Sequence, residues 1–274
     1  MLGVLYALGA AACWGTGDFN GGLATRRSGV YGVVIAVEVI GAVLLLGLGL
    51  AFAEALPGGA DIVWSLLAGI AGGVGLALLY QALATGQMGV AAPVTAVVSG
   101  VVPITVALLT DGIPTPLRLI GFAVALGAVW LISGGSALRA SLGALRLPIL
   151  AGVGFGFYLV FVDRIESGLF YPLTIARLSA LVLLVVVALI RRQPLAPKRE
   201  SLPFVGLSGL FDAGGNVFFL LATQTVRLDV AAVLSSLYPA VTVLLAWLIL
   251  REQLTARQWS GVAAALVAIV LISA

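Results

Sequence analysis

The sequence predicts an all-α polytopic membrane protein, with ten transmembrane helices set out as two five-helix repeats. Three observations predict it. Of 274 residues, 62% are hydrophobic and only 9% charged, and the mean hydropathy is +1.21. A soluble domain of this length has too little interior to hide so much apolar surface. The charges fall between apolar stretches of about 20 residues, the length that crosses a bilayer as a helix. The chain also resembles itself under a shift of 140 residues.

Charges, glycines and prolines divide the chain into ten segments. The first, near 2–21, ends before "TRRSG"; its "AAAC" loosely resembles a lipoprotein cleavage site. Lys and Arg are absent upstream, so it reads as a retained helix. Segment 30–53 carries Glu38 and ends at "EALPGGAD"; segment 62–85 ends at "ATGQMG". Segment 90–110 contains Pro93 and Pro103 and closes on "DGIPTP", before segment 116–134. After "GSALRASLGALR" the pattern begins again with 145–163, "DRIESG" and 170–190, which carries Arg177. The basic, proline-bearing "RRQPLAPKRES" is the only stretch with the composition of a linker. Segments 203–224, 229–250 and 256–273 follow, separated by "VRLD" and "REQLTA".

The repeat registers without a gap after the first segment. Tyr31 falls on Tyr171, Gly69 on Gly209, Gly75 on Gly215, Thr85 on Thr225 and Gly121 on Gly261. "VAA" at Val90 meets "VAA" at Val230, and "LIS" at Leu131 meets "LIS" at Leu271. An odd number of helices per repeat makes the second half enter the membrane in the opposite sense. Inverted repeats of this kind place a substrate site near the midplane between the halves. The organisation points to a transporter.

"ACWGTGDF" near the start, and "SSLYPAVTVLLAWLILREQLTARQWSGVAAALVAIVLIS" at the end, resemble the EamA-type branch of the drug/metabolite transporter superfamily. The resemblance implies two inverted five-helix EamA-like repeats, over 1–134 and 145–274, and transport of small metabolites, often export. The first repeat departs from the pattern: Gly112 stands where the second has Glu252, and Ser99 where it has Pro239.

Few other chemistries fit. The chain has no His, the commonest metal ligand and general base, and its single Cys13 leaves no thiol cluster, so no metal site or enzyme is expected. "GAAACWGTG" and "AGVGFGFYL" follow no strand and read as helix packing, so no nucleotide cofactor is expected. A formal charge of +3 scattered over short loops does not suggest nucleic acid. The expected partners are a small organic solute (amino acid-like, nucleoside-like or drug-like), the lipid bilayer and a coupling proton or ion. The expected location is the cytoplasmic membrane. The alternative reading is a non-transporting scaffold or sensor.

Candidate site residues follow from the cost of polar groups in lipid, about 2.5–3.5 kcal/mol for a carboxylate at a helix centre. Asp212 and Asn216 lie four apart and share a helix face, with Thr223 further along it and with Gly209, Gly214 and Gly215 in the same segment. They form either a substrate or coupling site or a clamp between close-packed helices. Glu38 and Arg177 stand at adjacent repeat-equivalent positions and can pair inside the membrane, tuning its charge. Trp14 with Asp18, and Tyr158 with Asp163, sit near segment ends, where aromatics either anchor at the interface or line a cavity. Pro103 and Pro239 fall inside helices, each four residues after a serine (Ser99, Ser235), and suit a gate or an ordinary kink. Arg251 and Glu252 read as a loop pair.

Orientation sets two signals against each other. Ten helices put both termini on one side, which the resemblance implies is cytoplasmic. Loops on the opposite side hold Arg26, Arg27, Arg139, Arg146, Arg191, Arg192, Lys198, Arg199, Arg251 and Arg257, against Arg118, Arg164 and Arg227 on the terminal side. Basic short loops stay in the cytoplasm, so the loop charges put the termini outside. A carboxy-terminal reporter that fluoresces only in the cytoplasm should therefore stay dark. Bright cells would reverse the orientation.

Overall fold

In lipid every backbone N–H and C=O must find a partner within the chain, which leaves the helix as the form for isolated apolar segments. The computed structural model describes residues 1–84, 88–132, 142–251 and 253–273, and they contain helices but no strand. In chain order the helices are α1 (Leu2–Thr25), α2 (Val30–Ala51), α3 (Gly59–Ala84), α4 (Met88–Thr110), α5 (Pro116–Ile132) and α6 (Leu142–Asp163). Then come α7 (Phe170–Ile190), a short 3-10 turn, α8 (Leu202–Thr223), α9 (Leu228–Ser235), α10 (Tyr238–Leu250) and α11 (Ala256–Ser273). Among the described residues seven spans are long and apolar enough to cross a membrane, and two shorter apolar stretches, Val94–Thr110 and Pro116–Ile132, accompany them.

One segment departs from the expected single helix. The stretch 229–250 is broken into α9 and α10, and Pro239 lies in the first turn of α10 rather than inside a helix. Proline lacks the N–H that would continue the ladder, and its ring opposes the carbonyl one turn back. Helix α4, by contrast, runs on through Pro103. Pro148 lies inside α6, and its carbonyl accepts the Thr95 hydroxyl of α4 at 3.1 Å. The side chain of Pro93 and the whole of Glu252 lie outside the described residues.

Small residues bring the helices together, as they do wherever lipid removes the hydrophobic drive between helices. Along the α1–α8 contact Gly3 faces Thr225 and Val226, Gly9 faces Phe218, and Gly17 faces Asp212 and Ser208, so the pair runs antiparallel. The α3–α6 contact matches it after the 140-residue shift, with Gly72 against Tyr158 and Gly75 against Ala151 and Phe155. Helices α5 and α11 exchange equivalent contacts: Gly121 meets Leu271 and Ile272, while Gly261 meets Leu131 and Ile132. At Gly69 a Cβ would overlap the Ala176 carbonyl, so only glycine lets α3 lie this close to α7.

The loops are tied across the halves. Glu54, just after α2, accepts the first N–H groups of α7: Leu169 at 2.5 Å, Phe170 at 2.9 Å and Tyr171 at 2.7 Å. These donors have no partner within their own helix, and a carboxylate also suits the positive end of the helix dipole. Asp61 accepts the Glu166 N–H at 3.0 Å and the Ser167 hydroxyl, and Phe52 stacks on Phe170 with centroids 5.7 Å apart. Elsewhere Arg227, at the start of α9, donates to Asp229 and to the carbonyls of Asp111 and Gly112. Its bond to Asp229 pushes its pKa up from the ordinary arginine value.

Truncating Glu54 strips three helix donors of their acceptor. Hydrogen bonds to charged groups contribute about 1.5–3 kcal/mol. Glu54→Ala should therefore lower the thermal midpoint of the detergent-purified protein, and Glu54→Gln should recover part of the loss. An unchanged midpoint for Glu54→Ala would mean that water replaces the carboxylate at no cost.

Candidate functional site

The site is organised around Arg177, on α7, whose side chain is only 3% exposed. A guanidinium in a low-dielectric interior needs counter-charges close at hand. Its Nη1 donates to Glu38 Oε2 of α2 at 3.1 Å, and its Nη2 donates to Asp212 Oδ2 of α8 at 2.5 Å. Gly41 leaves the room: a Cβ there would come within 2.7 Å of the guanidinium. The triad thus joins one carboxylate of the first half to an arginine and a carboxylate of the second. Glu38 is nearly covered, with 12% of its side chain exposed, whereas Asp212 keeps 34% open. Arg177 Nε has no hydrogen-bond partner among the described residues.

Trp14 and Asn216 meet beside the triad. Trp14 Nε1 donates to Asn216 Oδ1 at 3.0 Å, and the indole lies against Gly215 and 5.6 Å from the Phe219 ring. Trp14 is therefore no interfacial anchor. Helix α1 continues to Thr25, which moves this residue to mid-helix and into the α1–α8 contact. The site also gathers Cys13, half-buried and 3.5 Å from the position of a Cβ on Gly214.

Asp18 is exposed at its surface yet surrounded by the bundle, within electrostatic range of Asp212 and of Tyr238. It makes no hydrogen bond or ion pair with any described residue. The break before Pro239 brings Tyr238 to this place, since its carbonyl abuts Gly15 and Thr242 of α10 donates to the Gly15 carbonyl at 3.0 Å. Tyr158 packs on Gly72, and its buried hydroxyl has no partner among the described residues, although Arg177, Asp212 and Glu38 are all in electrostatic range.

Other predicted residues stay apart. The Thr223 hydroxyl donates to the Leu220 carbonyl of its own helix at 3.0 Å. The Ser99 hydroxyl likewise turns back to Ala96, while Ser235 bonds across to the Ala7 carbonyl at 3.2 Å. Two concavities near helix ends, about 350 Å³ beside Trp247 and Trp259 and about 330 Å³ beside Arg118 and Arg227, are not lined by the triad.

The sequence model of the EamA-like transporter family matches residues 1–134 and 142–274. The chain belongs to the EamA-like transporter family. A solved crystal structure, described only as that of a protein, superposes with a TM-score of 0.81 over 99% of this chain and 98% of its own. At 16% identity that likeness shows a shared fold alone. No curated protein matches. The two matched repeats and the apolar helices make this a multi-pass membrane protein of an EamA-like, two-repeat plan.

Within that plan the site is one-sided. Asp212 and Asn216 correspond to Gly72 and Leu76 in the first repeat, Asp18 to Tyr158, and Trp14 to Gly154. Where Gly154 packs on the backbone of Ala71 and Gly75, Trp14 instead fills the gap against Gly215. Pairing of Asp212 with Arg177 was missed at the sequence level. Two mid-helix acids against one mid-helix base was the available signal.

Removing Arg177 should be far worse than removing either acid. Arg177→Gln leaves Glu38 and Asp212 facing each other without a counter-charge, and breaking a buried pair in this way costs about 3–5 kcal/mol. Glu38→Gln keeps the Asp212 contact and should cost less. In thermal unfolding the double variant, Glu38→Gln with Arg177→Gln, should be more stable than the sum of the two losses. Strict additivity would mean that the two side chains do not interact.

Proposed function

We propose that this EamA-like protein is a secondary transporter that carries a small organic solute across the cytoplasmic membrane, in the direction of export. Its mechanism is alternating access between two inverted five-helix repeats, ten transmembrane helices in all. The observation that carries the reading is the Glu38–Arg177–Asp212 triad, which joins the two halves at the middle of α8 and leaves Asp212 partly open. A purely structural clamp would bury both acids alike. The packing of α1 on α8, reproduced by α6 on α3 after the repeat shift, supports the inverted arrangement, and such halves hold their substrate at the interface between them.

In this reading Asp212, Asn216, Trp14 and Tyr158 contact the solute, and Glu38 with Arg177 fixes the charge and position of Asp212. Asp18 adds a second open carboxylate. Rocking of one repeat against the other exposes the site to each side in turn, and the break at Pro239 lets the end of α10 move separately from α9. Pro103 would bend α4 in the same movement.

The test is flux in liposomes. Purified protein should move a solute identified by ligand-induced thermal stabilisation, since a ligand that binds only the folded state raises its midpoint by mass action. Asp212→Asn, which can still accept from Arg177, should keep the fold and lose at least tenfold in flux, a loss of about 1.4 kcal/mol or more. Unchanged flux would remove Asp212 from the mechanism. Stabilisation by a ligand without flux would favour a sensor.

A further inference from the structure

We propose that the transported solute is an organic cation, held between Asp18 and the open side of Asp212. The inference rests on the transporter reading and adds the sign of the charge. It follows from which charges the solute can reach. The base of the site among the described residues is shut away: Arg177 is 3% exposed, both of its terminal nitrogens are taken by carboxylates, and Gly41 packs against its guanidinium. An anion arriving at the site would find no accessible counter-charge and two carboxylates in its way.

The acids are placed the other way round. Asp212 offers 34% of its side chain, and its Oδ1 accepts no hydrogen bond from a described residue. Asp18 is exposed, makes no ion pair, and stands beside Gly17, which packs directly on Asp212. With all groups ionised, Glu38, Asp212 and Asp18 against Arg177 leave the site two negative charges in excess. At membrane depth such an excess is costly unless protons or a cation neutralise it, and an organic cation can take the protons' place.

The remaining walls define the class of cation. Trp14, half-buried and backed by the fully buried Phe219 ring 5.6 Å away, and Tyr158 and Tyr238, within electrostatic range of the carboxylates, supply the aromatic groups. Aromatic faces suit an ammonium or other delocalised cation with an apolar body. No group of three His, Cys, Asp or Glu among the described residues is placed to hold a metal ion.

The protein carries its own probe, because Cys13 is its single thiol and sits half-buried beside Gly214 and Asp212. Detergent-purified full-length protein is labelled with a cationic and an anionic methanethiosulfonate, each rate being divided by that reagent's rate with a free small thiol. The cationic reagent should lead by about tenfold, because a cleft of one charge sign raises the local concentration of the opposite sign. Asp18→Asn should cut that ratio several-fold. Tetraphenylphosphonium should slow labelling and raise the thermal midpoint, whereas tetraphenylborate and added sodium chloride should do neither. Equal labelling rates, or protection by the borate, would overturn the proposal. If Cys13 reacts with neither reagent, the midpoint shifts alone decide, with a phosphonium shift that is lost in Asp18→Asn as the required result. Cation protection without flux in liposomes would leave the cation site standing and sink the transporter reading. Flux of an anion without cation protection would do the reverse.

Discussion

A guanidinium held in hydrocarbon must take its counter-charges with it, and the arrangement of this protein's centre follows from that. Arg177 satisfies the requirement with two carboxylates on two other helices, so α2, α7 and α8 cannot shift independently without exposing a bare charge. Gly41 is the steric condition for the contact. The partial exposure of Asp212 is its chemical result, because the carboxylate is held by one oxygen and offered by the other.

The same centre shows how a repeated chain comes to hold an asymmetric site. The scaffold contacts are shared by the two halves: α1 meets α8 and α6 meets α3 at equivalent places, with Gly215 and its counterpart Gly75 in both, and α5 and α11 exchange matching contacts. The chemistry is not shared. Asp212, Asn216 and Trp14 occupy the α1–α8 side, where the α3–α6 side has Gly72, Leu76 and Gly154. Backbone approach is governed by the small residues, so side chains elsewhere on the same faces were left to diverge.

The fold was legible in the sequence wherever one physical rule acted alone. Apolar length marked the segments, and the unbroken register between Tyr31–Tyr171 and Gly121–Gly261 marked the repeat. Asp212, Asn216, Glu38 and Arg177 stood out because each is expensive in lipid. Their connections were less legible: Glu38 with Arg177 followed from repeat equivalence, but Asp212 with Arg177 depends on how α7 and α8 rotate about their axes. Trp14 was ambiguous because the true end of α1 lies four residues beyond the expected one. Pro239 was visible as a disturbance, but its strength as a full break depends on the neighbours that accept the freed ends. Glu54 carried no signal at all, since an acid in a short loop resembles any solvated charge until the helix it caps is known.

Those loop acids also bear on the energetics of the two end states. Under the alternating-access mechanism proposed above, a chain duplicated without change would have inward-open and outward-open forms related by symmetry and equal in energy, and an empty carrier would divide its time evenly. Glu54 and Asp61 break that degeneracy, because their counterparts in the second repeat are Pro194 and Ser201, neither of which can act as a carboxylate cap. Among the described residues the carboxylate caps stand on one face, while the other is held by Arg191 donating to Gln81 at 3.1 Å and by Arg27 lying 4.7 Å over the Phe204 ring. Each 1.4 kcal/mol of difference between the staples weights the resting populations about tenfold. Under that mechanism the side to which the unloaded protein faces would be set by a few loop atoms, away from the Glu38–Arg177–Asp212 triad.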